Sequence, residues 1–246
     1  MNIYGRQENT LLMFALVCAI SVFVFPALIG FIAFVCLYVC FVANYWRLEW
    51  FQASNELRKA CLSLVPLGFS GWVLWSPDPS PLWATGWVQC GVTTVVFVLV
   101  LAWQAFQCRA LLKTPVLTQM IFAECDLRER WTYVSFILLC AIGEELLFRG
   151  VLYRLLSHHW GAFLLLSSLM FYFWHALMPW ARRTYQRCDY VKQAMLALSS
   201  SSLLVMTDSI YPSLALHLAY NLGVCLPFFI YIYSRNTHYA DSISGS

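Results

Sequence analysis

Apolar residues run the whole length of the chain in blocks separated by short polar stretches. Dividing the blocks at charges, Pro and Gly predicts eight membrane-crossing helices, over residues 10–25, 28–46, 60–75, 82–108, 131–153, 160–179, 190–207 and 212–234. Several fall short of the ~20 residues that a helix needs to cross the hydrocarbon. Residues 10–46 hold no charge, and only Pro26 and Gly30 mark where a hairpin would turn. Without that turn they would form one long bent helix.

One sizeable polar stretch interrupts the blocks, at residues 109–130. Its segment from Pro115 to Ala123 is apolar but too short to cross, which predicts a helix lying in the cytoplasmic interface. The run Ser199 to Ser202 reads as small residues that allow close helix contact rather than chemistry. Residues 235–246 read as a disordered tail.

Composition strengthens the membrane reading. Hydrophobic residues make up 61%, aromatic residues 17% and charged residues only 11%, with a mean hydropathy of +0.68. A soluble domain carries about 25% charged residues. The expected fold is all-α, a polytopic transmembrane bundle of about eight spans, with residues 1–246 as a single integral membrane domain and 131–234 as its motif-bearing core.

Basic residues set the orientation, because Lys and Arg concentrate in cytoplasmic loops. With eight spans and a cytoplasmic N-terminus, thirteen of the fifteen lie on one side: Arg6; Arg47, Arg58 and Lys59; Arg109, Lys113, Arg128 and Arg130; Arg182, Arg183, Arg187 and Lys192; and Arg235. Both termini are therefore expected in the cytoplasm. The net charge of +3 follows from this topology, with the lipid bilayer as partner and no argument for nucleic acid. No small-residue cleavage pattern follows the first block, so it reads as a span and not a signal peptide. Of the ten cysteines, eight fall in or beside apolar blocks and none has CxxC spacing, so they read as free packing thiols. Trp46, Trp50, Trp75, Trp83, Trp131, Trp160 and Trp180 stand near block ends as interfacial anchors.

The chemistry centres on two adjacent carboxylates, Glu144 and Glu145, inside the fifth block. Each costs ~2.5 to 3.5 kcal/mol at a bilayer centre, which marks a working site. Glu145 and Arg149 are four apart and share a helix face, whereas Glu144 points about 100° away. Either Glu144 acts as a general base while Glu145 and Arg149 hold the local charge, or all three form one buried ion network. The sixth block places Phe171 and His175 one turn apart, and the eighth places His217 and Asn221 four apart, able to aim at one point. Alone, each of these pairs fits hydrogen-bonded packing. Together, Glu144, His175, His217 and Asn221 are the residue types that activate water and stabilise an oxyanion.

The run Glu144-Glu-Leu-Leu-Phe-Arg-Gly-Val-Leu152, followed by Phe171-x-x-x-His175 and His217-x-x-x-Asn221, resembles the CAAX protease and bacteriocin-processing (CPBP) family of intramembrane endopeptidases. The resemblance implies hydrolysis of a peptide bond in a membrane-associated protein or peptide, by a glutamate-activated water, within the membrane. The short chain without a large extramembrane domain points to a multi-pass protein of a bacterial cytoplasmic membrane. Carried over by position, Glu144 would be the base, His175 would bind and polarise the water, and His217 with Asn221 would form the oxyanion site. Glu145, Arg149 and Phe171 would support them, and no cofactor would be needed. Two other readings compete. Glu144, His175 and His217 are also an acceptable ligand set for a catalytic zinc, although no His-Glu-x-x-His helix is present. A membrane scaffold or immunity protein would bind a peptide without cutting it.

Overall fold

The computed structural model describes residues 3–44, 55–74, 82–83, 85–109, 126–156, 158–178 and 185–244. Eight helical segments follow in order: α1 (Ile3–Val24), α2 (Ile29–Asn44), α3 (Asn55–Leu74), α4 (Trp87–Gln107), α5 (Leu127–Glu145), α6 (Trp160–Leu177), α7 (Arg187–Thr207) and α8 (Ile210–Ser244). α5 does not stop at Glu145. It continues through a π-helical turn, Leu146–Val151, and one further α-turn, Leu152–Leu155. No β-strand occurs among the described residues. The segment 115–123, Cys125 and Trp46, Trp50, Trp75 and Trp180 lie outside them, while the nine described cysteines are free.

The expected hairpin forms at the proline. Phe25 is extended (φ −129°, ψ 82°) because the ring of the following Pro26 disfavours the helical region for the residue before it. A single 3-10 turn, Pro26–Leu28, then starts α2. Cys18 and Cys36 bring their sulfurs to 3.9 Å. In one continuous helix these residues would stand ~27 Å apart along the axis, so α1 and α2 fold back on each other as two helices. Gly30 lies inside α2 and takes no part in the turn.

Among the described residues three helices are long and apolar enough to cross a membrane: Trp87–Gln107, Trp160–Leu177 and Ile210–Ile232. The architecture is a helical membrane bundle. α5 and α7 are more polar, with Arg128, Glu129, Arg130, Glu144 and Glu145 in α5 and Arg187, Asp189, Lys192 and the serine run in α7. α4 packs along α8 and turns Val95, Val98, Leu99, Trp103 and Phe106 outward, the side chains of a helix facing hydrocarbon.

Close helix contact positions the site. Gly143 presses on α3, where an added Cβ would lie 3.3 Å from both the Ser63 carbonyl oxygen and the Leu67 nitrogen. Two turns on, a Cβ at Gly150 would meet Leu74 Cδ1 at 3.0 Å. The two glycines flank Glu144, Glu145 and Arg149 and fix how α5 lies against α3. The chain turns from α7 into α8 at Asp208, whose left-handed conformation (φ 50°) Asp tolerates, and the Tyr153 hydroxyl donates to its carboxylate across 2.5 Å. Residues 235–244, expected as a disordered tail, instead continue α8 to Ser244. No Gly or Pro occurs between Pro227 and Gly245, so the sequence supplies no helix stop there.

Candidate active site

Glu145 is the centre of a buried polar network. Its Oε1 lies 3.3 Å from Arg149 NH1 and 2.9 Å from His217 Nδ1. Its Oε2 accepts from Ser200 Oγ (3.1 Å) and from Ser213 Oγ, and these two hydroxyls are themselves 2.7 Å apart. Glu145 and Arg149 are both fully buried, so the pairing expected from their spacing is present without solvent. Arg149 NH2 also donates to the Ala197 carbonyl on α7 (3.0 Å), and its guanidinium carbon sits 4.2 Å from the centre of the Phe171 ring. A buried ion needs such additional partners to offset its desolvation.

Glu144 faces a different set of groups. Trp174 donates its indole N–H to Oε1 (3.0 Å). Oε2 lies 3.6 Å from His175 Nε2 and 3.8 Å from His217 Nε2. The separation predicted from a 100° step between neighbours holds for the arginine, which Glu145 meets, and for His175, which Glu144 faces, while His217 stands between the two carboxylates. The π-turn begins right after the two carboxylates and buries Leu147, Phe148, Arg149, Gly150 and Val151 together, so α5 turns a wide face to the bundle here.

The histidine orientations are fixed from outside. His175 Nδ1 is 3.0 Å from the Phe171 carbonyl, which can only accept, so this nitrogen carries a proton and Nε2 is the ring nitrogen that faces Glu144. His217 is held in the same sense by Glu145 at Nδ1. The Phe171 ring braces all three neighbours, with its centre 4.3 Å from the His175 ring and 5.4 Å from the His217 ring in addition to the Arg149 contact. Behind Trp174, the Tyr38 ring stacks at 4.8 Å and 8°, and the Tyr38 hydroxyl bonds to the Leu62 carbonyl of α3 (3.1 Å). The α1–α2 hairpin thus holds the residue that holds Glu144.

The structure brings Glu144, Glu145, Arg149, Phe171, His175 and His217 into one cluster. Asn221 stands one turn beyond His217 on α8, and its amide nitrogen donates to the Ile137 carbonyl of α5 (3.3 Å), two turns before Glu144. That bond uses one of its two N–H groups and leaves the second to donate elsewhere. Three members were not read from the sequence as chemistry: Trp174, Ser200 and Ser213. Ser213 had a signal, since residues 213, 217 and 221 recur every four positions on one face of α8. Ser200 lies in the serine run that reads as packing, yet its hydroxyl serves Glu145. Among the described residues no group of three His, Cys, Asp or Glu side chains is arranged to hold a metal ion.

Residues 127–223 match the family model described as Type II CAAX prenyl endopeptidase Rce1-like. No curated protein and no solved structure matches the chain. The matched segment runs from α5 into α8 and contains every member of the cluster except Tyr38, which braces it from α2. It bears out the resemblance drawn from the three motifs.

Proposed function

We propose that this chain, with a CAAX-type endopeptidase segment across α5 to α8, hydrolyses a peptide bond of a membrane-associated protein or peptide with water that Glu144 activates. The observation that carries the reading is the convergence of Glu144 Oε2 with two imidazole Nε2 atoms from two other helices, at 3.6 and 3.8 Å. Those gaps are too long for direct hydrogen bonds and suit one bridging water. Substrate class rests on the family match alone, which favours a lipid-modified C-terminal peptide.

Charge balance assigns the protons. Two carboxylates against one guanidinium leave a net negative charge in a dry site, which is costly. One further proton balances the cluster, and His217, with a carboxylate at each ring nitrogen, is the group placed to carry it. Glu144 is then an ionised base, and His217 has an Nε2–H to give to an oxyanion.

Water between Glu144 and His175 donates one hydrogen to each. As its oxygen attacks the scissile carbonyl carbon, Glu144 takes one proton and the carbonyl π pair moves onto oxygen. His217 Nε2–H and the second N–H of Asn221 donate to that oxygen, supplying the electrostatic stabilisation that dominates acyl transfer. The tetrahedral centre collapses, Glu144 passes its proton to the leaving nitrogen, and the C–N bond breaks to give a carboxylic acid and an amine. Glu145 with Arg149, Ser200 and Ser213 keeps His217 in its orientation.

Cleavage of farnesylated CAAX-box peptides by the full chain in liposomes, run in ¹⁸O-labelled water, tests the reading. The expected result is one ¹⁸O in the new C-terminal carboxyl and no peptide adduct on the protein. A covalent adduct, or intact peptides throughout, would overturn it.

A further inference from the structure

α6 ends at Leu177, two residues past His175, whereas α7 begins at Arg187, thirteen residues before Ser200. Ser167 of α6 meets Ser201 of α7 at 2.9 Å, and Tyr172 of α6 packs against Tyr190 of α7 (ring centres 6.5 Å), so the two helices run side by side past the site. Gln193, eight residues before Ser201, stands about level with His175, eight residues after Ser167. It shares a helix face with Ala197, which binds Arg149, and with Ser200, which binds Glu145.

Gln193 is 6% exposed, and its Oε1 has no hydrogen-bond partner among the described residues. Its Nε2 donates to the Tyr185 hydroxyl (3.2 Å). Burial pushes the Tyr185 phenol up, with Tyr220 and the Glu144 carboxylate adding to the effect. An unpaired buried carbonyl is expensive and rare. Here it lies one turn before Ala197 and two before Ser200, on the face of α7 that serves Arg149 and Glu145, with the aromatic rings of Tyr185 and Tyr190 beside it.

We infer that Gln193, oriented by Tyr185, is a substrate subsite whose amide oxygen accepts a backbone N–H of the bound peptide. The missing partner is supplied on binding, when the peptide lies along the first turns of α7 with its scissile bond at Glu144. This rests on the peptidase reading above. It adds a contact that binds the chain's backbone and carries no preference for side chain.

The test uses a binding cycle on the full chain with Glu144→Gln, which retains peptide uncut. Farnesylated CAAX-box peptides, each N-methylated at one amide, are titrated against Glu144→Gln and against Glu144→Gln with Gln193→Leu. One methylation is expected to weaken binding tenfold or more in the first protein and less than twofold in the second. In the otherwise native chain, Gln193→Leu should raise KM about tenfold with kcat little changed and should leave the melting temperature equal or higher, because it removes an unpaired buried acceptor. A structural glutamine would instead lower the melting temperature. Absence of any methylation cost that depends on Gln193, absence of binding included, overturns the subsite. Coupling found in a protein that cuts none of the peptides would keep the subsite and remove the hydrolytic reading, and cutting without coupling would do the reverse.

Discussion

Trp174 donates its indole N–H to Glu144 across 3.0 Å from the position immediately before His175. One turn of α6 thus supplies both a donor that occupies Oε1 and an imidazole that faces Oε2. The carboxylate cannot rotate without losing the indole bond.

Trp174→Phe removes that donor and keeps a ring to stack on Tyr38. Hydrogen bonds to charged groups contribute about 1.5–3 kcal/mol, so kcat should fall roughly ten- to hundredfold. KM should change little, since the indole reaches the base and not the substrate. Steady-state kinetics check it. A change in KM with kcat intact would place Trp174 in substrate binding.

Glu145→Gln leaves Arg149 buried without its ion partner, at a cost of about 3–5 kcal/mol. The melting temperature should drop and activity should be lost. Adding Arg149→Gln should restore much of the melting temperature but not the activity, because His217 stays without the carboxylate at Nδ1. Thermal melts of the single and double variants decide it. No recovery would mean that the two residues are not energetically coupled.

How far could the cluster be read from the chain alone? The separation of Glu144 from Glu145 followed from helix geometry, and the Glu145–Arg149 pair from four-residue spacing, since both are local to α5. Pro26 marked the hairpin for the same local reason. The parts that were missed depend on distant packing. Trp174 meets Glu144 only because α6 crosses α5, and Ser200 serves Glu145 only because α7 and α8 place Ser200 and Ser213 together. A serine in an apolar block is ambiguous by itself, as a small packing residue and a hydrogen-bond donor look alike until a neighbour is known. The continuation of α8 to Ser244 is not legible from the expectation that a chain end is disordered, although no Gly or Pro between Pro227 and Gly245 stops the helix.

His217→Ala and Asn221→Ala should each lower the single-turnover rate by ~10²-fold or more if both donate to the oxyanion. Combined, they should cost less than the sum of the two, as donors to one oxygen act together. Substrate affinity should change less than rate. Losses confined to affinity would move the residues to substrate anchoring, and an unchanged rate for Asn221→Ala would leave its bond to Ile137 as its whole role.

Chelation separates the water-activating glutamate from the zinc reading. Extensive dialysis against a strong chelator should leave the cleavage rate unchanged, and added zinc should not raise it. Loss of activity that zinc restores would make Glu144, His175 and His217 ligands instead of acid–base groups.

The base assignment is tested most directly by Glu144→Gln, because the amide keeps the shape of the side chain and loses only the capacity to take a proton. Single-turnover cleavage should fall to no more than a few per cent of the native rate, with expression, melting temperature and peptide binding near native. A variant that folds normally and still cuts at more than a few per cent of the native rate would contradict the account.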